Sequence, residues 1–599
     1  MSDLNSLFVN VKQALGKGKN IQVLCKEMAD FIKTQNSFSH GAIAPEFYTR
    51  SDINGLSELE NMDVLSGGGL SRRSGLRRID SLRGGAARLI AFSVSDSEQY
   101  IIALTDYHMY IYLNDVLYQD LITPWSYSDA LNLQYAQRFG TMIFVHSDYR
   151  PRILQKSGAA FEISNFMFAQ NDANLDVYMP FVRFEDTQNV KITVSEHEYG
   201  NNYATFTASS PIWSEGIVNA RMIMNDKQWT IVKYIDSKTV VAYVNGGYTL
   251  PTSPISDWRE SAFSDLRGWP RCITFHQNRL VFAGTRAWPG GIWLSRVGAH
   301  TNFDIGSGLD DEAIFVSLLS QQRQQICTVV SSQNLQVLTS SGEWAISSQP
   351  LTPTNIDVRQ HTSVGSYSSR YLAPQRIEGA TIFVANGGND IRELVLDDLG
   401  ENYNANDLCA LSKHLLSNPT DIAYNKHTRQ LFVVCQDGNM AVLNINTALG
   451  VSAWAKYTTC GEFLSVSVSD DKTYVVVYRD NTYYLERFDC TVFRDSNEYD
   501  FSFVASGVPL IASNHNLRHI KLRKIVSRVY DTKSLTVNGI SIRFPNDIYS
   551  PGAVGYSGDV SINTLGSVSD CSVPIWTISG TSPYPATVLS ITLHGWYTA

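Results

Sequence analysis

Several stretches carry residue types used in reaction centres, and each falls short of one. Ser195-Glu196-His197-Glu198-Tyr199 offers one imidazole and two carboxylates. A zinc-binding HExxH helix needs a second His one turn further on, and none follows. Gly16-Lys17-Gly18-Lys19 has the glycines and lysines of a phosphate cradle but is too short for GxxxxGK[ST]. Asp310-Asp311 and Asp470-Asp471 pair carboxylates, as acid/base hydrolysis does. Adjacent acids between apolar runs read instead as turn residues. No GxSxG elbow presents a serine nucleophile. The 12 His are dispersed, and His276 and His414 read as surface or core residues rather than ligands. The eight Cys are scattered, with no CxxC pair, so neither a metal site nor a disulfide framework is expected. The expectation is a chain with no catalytic residue, no cofactor and no metal.

Charge offers a second kind of chemistry. Six arginines, Arg72, Arg73, Arg77, Arg78, Arg83 and Arg88, follow the triple glycine Gly67-Gly68-Gly69. A guanidinium forks onto carboxylate or phosphate. Two readings stand: a phosphate or DNA contact, or ion pairs within the protein or across a subunit boundary. The excess of 57 Asp and Glu over 48 Lys and Arg favours the ion pairs. Lys521, Arg523, Lys524 and Arg528 alternate with Leu522, Ile525 and Val529. That pattern predicts a solvated sheet face or an inter-subunit seam ahead of a DNA contact.

The elements that would position these residues are short strands. Between Arg267 and Asp304, the runs Cys272 to Phe275, Leu280 to Ala283 and Ile292 to Leu294 are separated by His276-Gln277-Asn278-Arg279 and by the loop Gly284 to Gly291 with Pro289-Gly290-Gly291. Such runs predict antiparallel strands joined by tight turns. The pattern recurs at 89–113, 136–154, 326–346, 376–396, 422–445 and 463–488, the later instances about every 43 to 55 residues, the period of propeller blades. It carries no Gly-His or Trp-Asp signature, and the SxDxGxTW boxes of propeller glycosidases are absent. About 100 extra residues between the second and third instances predict a separate β domain, with strands near 193–195, 204–208, 229–234 and 239–244.

Helices are expected in two places. Leu4, Leu7, Phe8, Val11 and Leu15, then Ile21, Leu24, Met28 and Ile32, fall on helical faces. These two amphipathic helices would dock on their own domain or reach a neighbouring subunit. Asn406 to Leu416 reads as one helix, capped by Asn406.

The fold class is therefore mainly β: a multidomain β-propeller with an inserted small β domain, a short N-terminal helical segment and a C-terminal β domain. The expected boundaries are a helical arm over 1–36, the first part of the propeller over 37–155, an inserted platform-like domain over 156–255, the remaining blades over 256–500, and a C-terminal β domain over 501–599. Composition agrees, at 44% hydrophobic with 30 Tyr and 26 Phe. The net charge of −9 argues against a general nucleic-acid binder. No run has the ~18 apolar residues of a membrane helix, and the first residues lack the form of a signal peptide. The chain is expected to fold in the cytoplasm of the cell that makes it.

The segment FSHGAIAPEFYTRSDINGLSELENMDVLSGGGLSRRSG, residues 38–75, resembles the opening motif of the tail nozzle proteins of short-tailed bacteriophages (podoviruses), the tail tubular protein B family. Phe38-Ser39, Gly41, Pro45, Arg50, Asp52, Gly67-Gly68, Arg72-Arg73 and Gly75 carry the likeness. Further blocks follow in order. They are Gln134 to Gln137, His146 to Arg152, Pro270-Arg271, Asn278 to Thr285 with Arg279, Ile292 to Gly298 with Trp293 and Arg296, Leu351 to Pro353, Arg392 to Leu394, Ala405 to Leu408 and Leu485 to Arg487. The likeness spans roughly residues 37–490, and the helical leader departs from it.

The resemblance implies a structural virion protein made in the bacterial cytoplasm and built into the viral tail. It implies a homo-hexamer below a dodecameric tail adaptor, with a lumen that retains double-stranded DNA and conducts it during ejection. It also implies attachment of tail fibres or spikes. Arg50, Asp52, Gly67, Gly68, Arg72, Arg73, Arg152, Arg279, Trp293 and Arg296 are the motif or interface candidates. The rival expectation is a tail propeller that binds or degrades host-surface glycan.

Overall fold

The structure is a computed structural model of the chain. It describes residues 28–598 apart from 51, 174, 201, 319–323, 398–399, 401, 510–518, 551, 564–566 and 569–572. The helix expected at the start of the N-terminal arm lies outside the described residues.

Strands dominate, in a multidomain, mainly-β propeller architecture with an inserted β domain. The chain divides into two compact units. One comprises Gly84–Asp407. Its described residues form five antiparallel four-stranded meanders. The first is Arg88–Ser95, Glu98–Leu104, His108–Leu113 and Val116–Ile122. The second is Gln134–Arg138, Thr141–His146, Tyr149–Ser157 and Ala160–Asn165. The third is Cys272–His276, Arg279–Ala283, Gly291–Leu294 and Ile314–Ser317. The fourth is Ile326–Ser331, Leu335–Thr339, Gly342–Ile346 and Val358–Thr362. The fifth is Gln375–Ile377, Ala380–Val384, Ile391–Leu396 and Tyr403–Asp407. Between the second and third lies a seven-stranded sheet running from Phe181–Val182 to Trp258–Ser261 in sequence. It has its own core around Phe206, Trp229, Ile231 and Trp258.

The hairpins explain why these runs break where they do. Asn114-Asp115, Asn225-Asp226, Gln277-Asn278 and Asp480-Asn481 all take positive φ at both positions. This is the two-residue turn whose twist matches that of its strands, and Asn and Asp tolerate it best. Phe139 at φ 51 and Glu378-Gly379 at φ 48 and 92 likewise divide the runs 136–146 and 376–385 into two strands each.

The other unit comprises residues up to Arg83 and Leu408–Ala599. Glu462–Ser469, Lys472–Arg479 and Thr482–Asp489 form a meander whose fourth strand is Gly75–Ser81, from the far end of the sequence. Pro419–Asn425, Gln430–Cys435, Met440–Asn446 and Val451–Tyr457 form another meander, extended beyond Val451–Tyr457 into a nine-stranded sheet. A third sheet is built around the long strands His519–Thr532 and Thr587–Thr598. Leu522, Ile525 and Val529 are buried, whereas Arg523, Lys524 and Arg528 are exposed, so the basic residues lie on the outward face of this sheet.

Two helix expectations are overturned. Met28–Gln35 is a strand paired residue for residue with the last strand, from Met28↔Thr598 to Gln35↔Ile591. Met28 and Ile32 stand four apart, which is one face of a strand as well as of a helix, and Ile32 is 71% exposed. Asn406 lies in strand Tyr403–Asp407, and its side chain donates to Glu393 across the ladder (3.0 Å) rather than capping a helix. Beyond it, residues 410–412 form a turn and Lys413–Leu415 a single 3-10 segment.

Candidate functional site

The motif residues are internal ties more than a surface site. Leu70–Arg72 returns from Met62–Val64 through the glycine turn. Gly68 has φ +84, and a Cβ there would meet Ser37 Oγ at 2.8 Å; Gly67 has neither constraint. The turn aims two arginines inward. Arg73 donates to both oxygens of Asp495 (3.0 and 2.8 Å), to Asn61 Oδ1 (2.7 Å) and to the Thr458 carbonyl (2.8 Å), and stacks 3.7 Å over Phe501. Arg72 donates to the carbonyls of Phe501 (2.9 Å), Tyr584 (3.1 Å) and Ser582. Burial, then the neighbouring charge of Arg73, pushes its pKa down to about 10. Every donor described here points at carbonyl, amide or carboxylate oxygen of the same unit.

The other candidates separate. Arg50 and Asp52 form an exposed local pair (2.5 Å). Arg279 is buried and donates to the backbone carbonyls of Ser295 (2.8 Å), Glu312 (2.5 Å) and Asp310 (2.8 Å). Trp293 is buried against Phe263 and Phe315. Arg296 pairs with Asp311 (2.5 Å), and that hydrogen bond holds the Asp311 carboxyl below its ordinary pKa. Arg152 sits half-buried in Tyr149–Ser157 with no side-chain hydrogen bond among the described residues. His276 is buried with Nδ1 3.0 Å from Ser331 Oγ, a core histidine. His197 follows strand Ile192–Glu196 and packs at a tilt against Tyr199, so no helix presents it to a metal.

The structure brings together a different set. In the unit Gly84–Asp407, a polar cleft of about 840 Å³ opens where the second strands of three meanders end and the first strands of four begin. The turns after Thr141–His146, Arg279–Ala283 and Leu335–Thr339 supply Ser147, Asp148, Thr285, Arg286 and Ser340. The approaches to Gln134, Cys272, Ile326 and Gln375 supply Ser128, Asp129, Asn132, Arg271, Gln324, Gln325, Ser368 and Ser369.

Three acceptor groups in this cleft, on Asp129, Asp148 and Gln324, are engaged by protein donors. Asp129 sits in the one-turn helix Tyr127–Ala130, where Ser126 and Asp129 cap each other. Its Oδ2 accepts from Ser126 Oγ (2.7 Å) and Tyr149 Oη (2.8 Å). Burial opposes its charge, but these hydrogen bonds prevail and its pKa falls. Asp148 pairs with Arg286 (2.7 Å). Gln324 Oε1 accepts from Thr339 (3.0 Å), Ser341 (3.0 Å) and Trp344 Nε1 (3.2 Å).

The donors are unspent. Gln324 is 7% exposed, and its Nε2 is buried without a hydrogen-bond partner. Arg271 has no side-chain hydrogen bond or ion pair among the described residues. His146 is 8% exposed and accepts the Asp148 N–H at Nδ1 (3.2 Å), which leaves the proton on Nε2. Burial lowers its pKa against the pull of Asp148 and Asp129, so the ring is neutral near pH 7. His146, Ser147, Asp148 and Arg271 stood within the family-like blocks, but their sequence separation hid the cleft. The recurring position just after each second strand was the signal available.

No helix among the described residues is long and apolar enough to cross a membrane. No family model and no curated protein matches the chain. Among solved structures the chain is similar to the β-propeller domain of Cps50 (Swd1) from Myceliophteria thermophila, at 7% identity over 69% of this chain and 99% of that one, TM-score 0.33. It is similar to BamB from Moraxella catarrhalis, at 12% identity over 69% and 100%, TM-score 0.31. It is similar also to the WD40 repeats of RRP9, at 7% identity over 70% and 100%, TM-score 0.32. These likenesses concern β-propeller form and carry no activity to this chain.

Proposed function

We propose that the chain is a structural subunit of a short-tailed bacteriophage tail nozzle. Six copies form a ring below the tail adaptor. Its lumen retains the packaged DNA and then conducts it during ejection, and its outer surface offers fibres or spikes a place to attach. The observation that carries this reading is the ordered series of family-like blocks from residue 37 to 490. Their distinctive residues Arg72, Arg73, Arg279 and Trp293 are buried ties, as suits a protein whose output is shape and stiffness rather than turnover.

The charge balance supports passage. At −9 per chain, an acidic wall repels phosphate and keeps the duplex from adhering. The test is assembly: the purified chain, alone and mixed with the tail adaptor of its phage, followed by sizing and electron microscopy. Rings of six that bind the adaptor are expected. A chain that stays monomeric and ignores the adaptor, or that is absent from purified virions, overturns the reading.

A further inference from the structure

The cleft between the strand ends of the Gly84–Asp407 unit has a one-sided hydrogen-bonding demand. Asp129, Asp148 and Gln324 Oε1 are engaged by protein donors. Arg271, Gln324 Nε2 and the Nε2–H of His146 have no protein acceptor among the described residues. A buried amide nitrogen without a partner is costly unless something else accepts from it. The lining carries two aspartates, Asp129 and Asp148, and two arginines, Arg271 and Arg286, and of these four only Arg271 has no side-chain partner among the described residues. The missing occupant must therefore bring acceptors, and the planar fork of Arg271 suits those of a carboxylate or phosphate.

Size and rim narrow the class. A volume of about 840 Å³ lies in the ~300–1,000 Å³ range of pockets that take whole small molecules, well beyond a bare inorganic ion. Ser128, Asn132, Ser340, Ser368 and Ser369 surround the opening with groups that both donate and accept. No Phe, Tyr or Trp among the described residues lines it, and its one ring is the buried His146, so it offers no broad platform on which a nucleobase would stack. Hydroxyl-bearing rings match such a rim.

We propose that this cleft binds an acidic saccharide, a hydroxylated ring whose carboxylate or phosphate is held by the Arg271 guanidinium and the Gln324 amide nitrogen. The proposal is independent of the nozzle reading, since it rests on the cleft of a single chain. Arg271 supplies a planar fork for either acid. Gln324 is fixed by its three oxygen-side donors, so its unpartnered nitrogen is held in one position, and His146 adds a neutral donor.

The full-length chain should be titrated calorimetrically with tri-galacturonate, glucose-1-phosphate, maltotriose, inorganic phosphate and a glutamate-rich peptide. Binding is expected for one or both acidic sugars, at least about 10-fold tighter than for maltotriose or phosphate. The acid that binds identifies the source. Arg271→Gln should weaken that binding by about 10-fold or more, and Arg271→Lys by less. Arg259→Gln, on an exposed position of the inserted sheet, should leave it unchanged. The comparison of ligands on the unmutated chain stands even if Arg271→Gln misfolds. Equal binding of maltotriose, phosphate binding as tight as the sugars, binding of the peptide alone, or no binding at all each overturns the proposal.

Discussion

Arg73 and Asp495 meet as a two-point ion pair with neither side chain exposed, although 422 residues separate them. The pair joins the glycine-turn motif to the segment that follows strand Thr482–Asp489, and so fastens the beginning of the chain to its later part within one unit. Removing one partner strands a buried charge. Asp495→Ala should lower unfolding stability by about 3–5 kcal/mol. Arg73→Met with Asp495→Leu should recover much of that loss, because both charges then leave together. Denaturant titration of the three proteins measures both effects; equal losses for the single and double variants would contradict the paired account.

The glycine turn separates two residues that look alike in sequence. Gly68→Ala places a Cβ at positive φ against Ser37 and should cost about 1 kcal/mol or more. Gly67→Ala meets open space without positive φ and should stay within about 0.5 kcal/mol of the parent. Melting of both variants checks the contrast.

Asp63 gives a pH signature. It sits half-buried between Tyr457 and Gln430 (2.7 Å from Nε2), and desolvation outweighs those hydrogen bonds to push its pKa up from 3.8 to about 6. The folded state therefore holds this proton more tightly than the unfolded state. Stability associated with Asp63 is complete below about pH 4 and is lost as pH rises towards 6, by about 3 kcal/mol at most. Asp63→Asn removes the ionisation. Its stability relative to the parent should rise across that window, and a flat difference from pH 4 to 7 would exclude the effect.

Thiol chemistry distinguishes the cysteines. Burial pushes Cys272 up to about 12 and Cys327 up to about 11, so neither forms thiolate near neutrality. Cys460 and Cys490 are exposed. Iodoacetamide on the native protein, read by peptide mass spectrometry, should label Cys460 and Cys490 and leave Cys272 and Cys327 intact until denaturant is added.

Inner strands were legible in the sequence because they are buried on both faces. Gln430–Cys435 and Thr239–Val244 begin and end where apolar runs and turn residues place them. Outer strands such as Val116–Ile122 and Val358–Thr362 were not, since one face meets solvent and their residues are mixed. The strand at Met28–Gln35 was hidden for another reason: its pairing partner lies at the opposite end of the chain, and local periodicity cannot register such a partner. The arginines of the 72–73 pair were visible as an ion-pairing run, but their acceptors at Asp495 and Phe501 were not. The cleft was the least legible feature. Its residues come from loops of four sheets, and what marks it is the imbalance of donors over acceptors, a property of assembled geometry.

Strand Gly75–Ser81 has a consequence for biosynthesis. Its hydrogen-bonding neighbour begins at Thr482. A ribosome adding about 5–20 residues per second takes roughly 20–80 s to cover that interval. Throughout that time the early strand presents a bare edge, the kind of surface that recruits another nascent chain. Arrested chains that stop short of Thr482 should be cut by protease near Gly75–Ser81, and chains released beyond Asp489 should resist, so only in the final fifth of translation does this strand gain its partner.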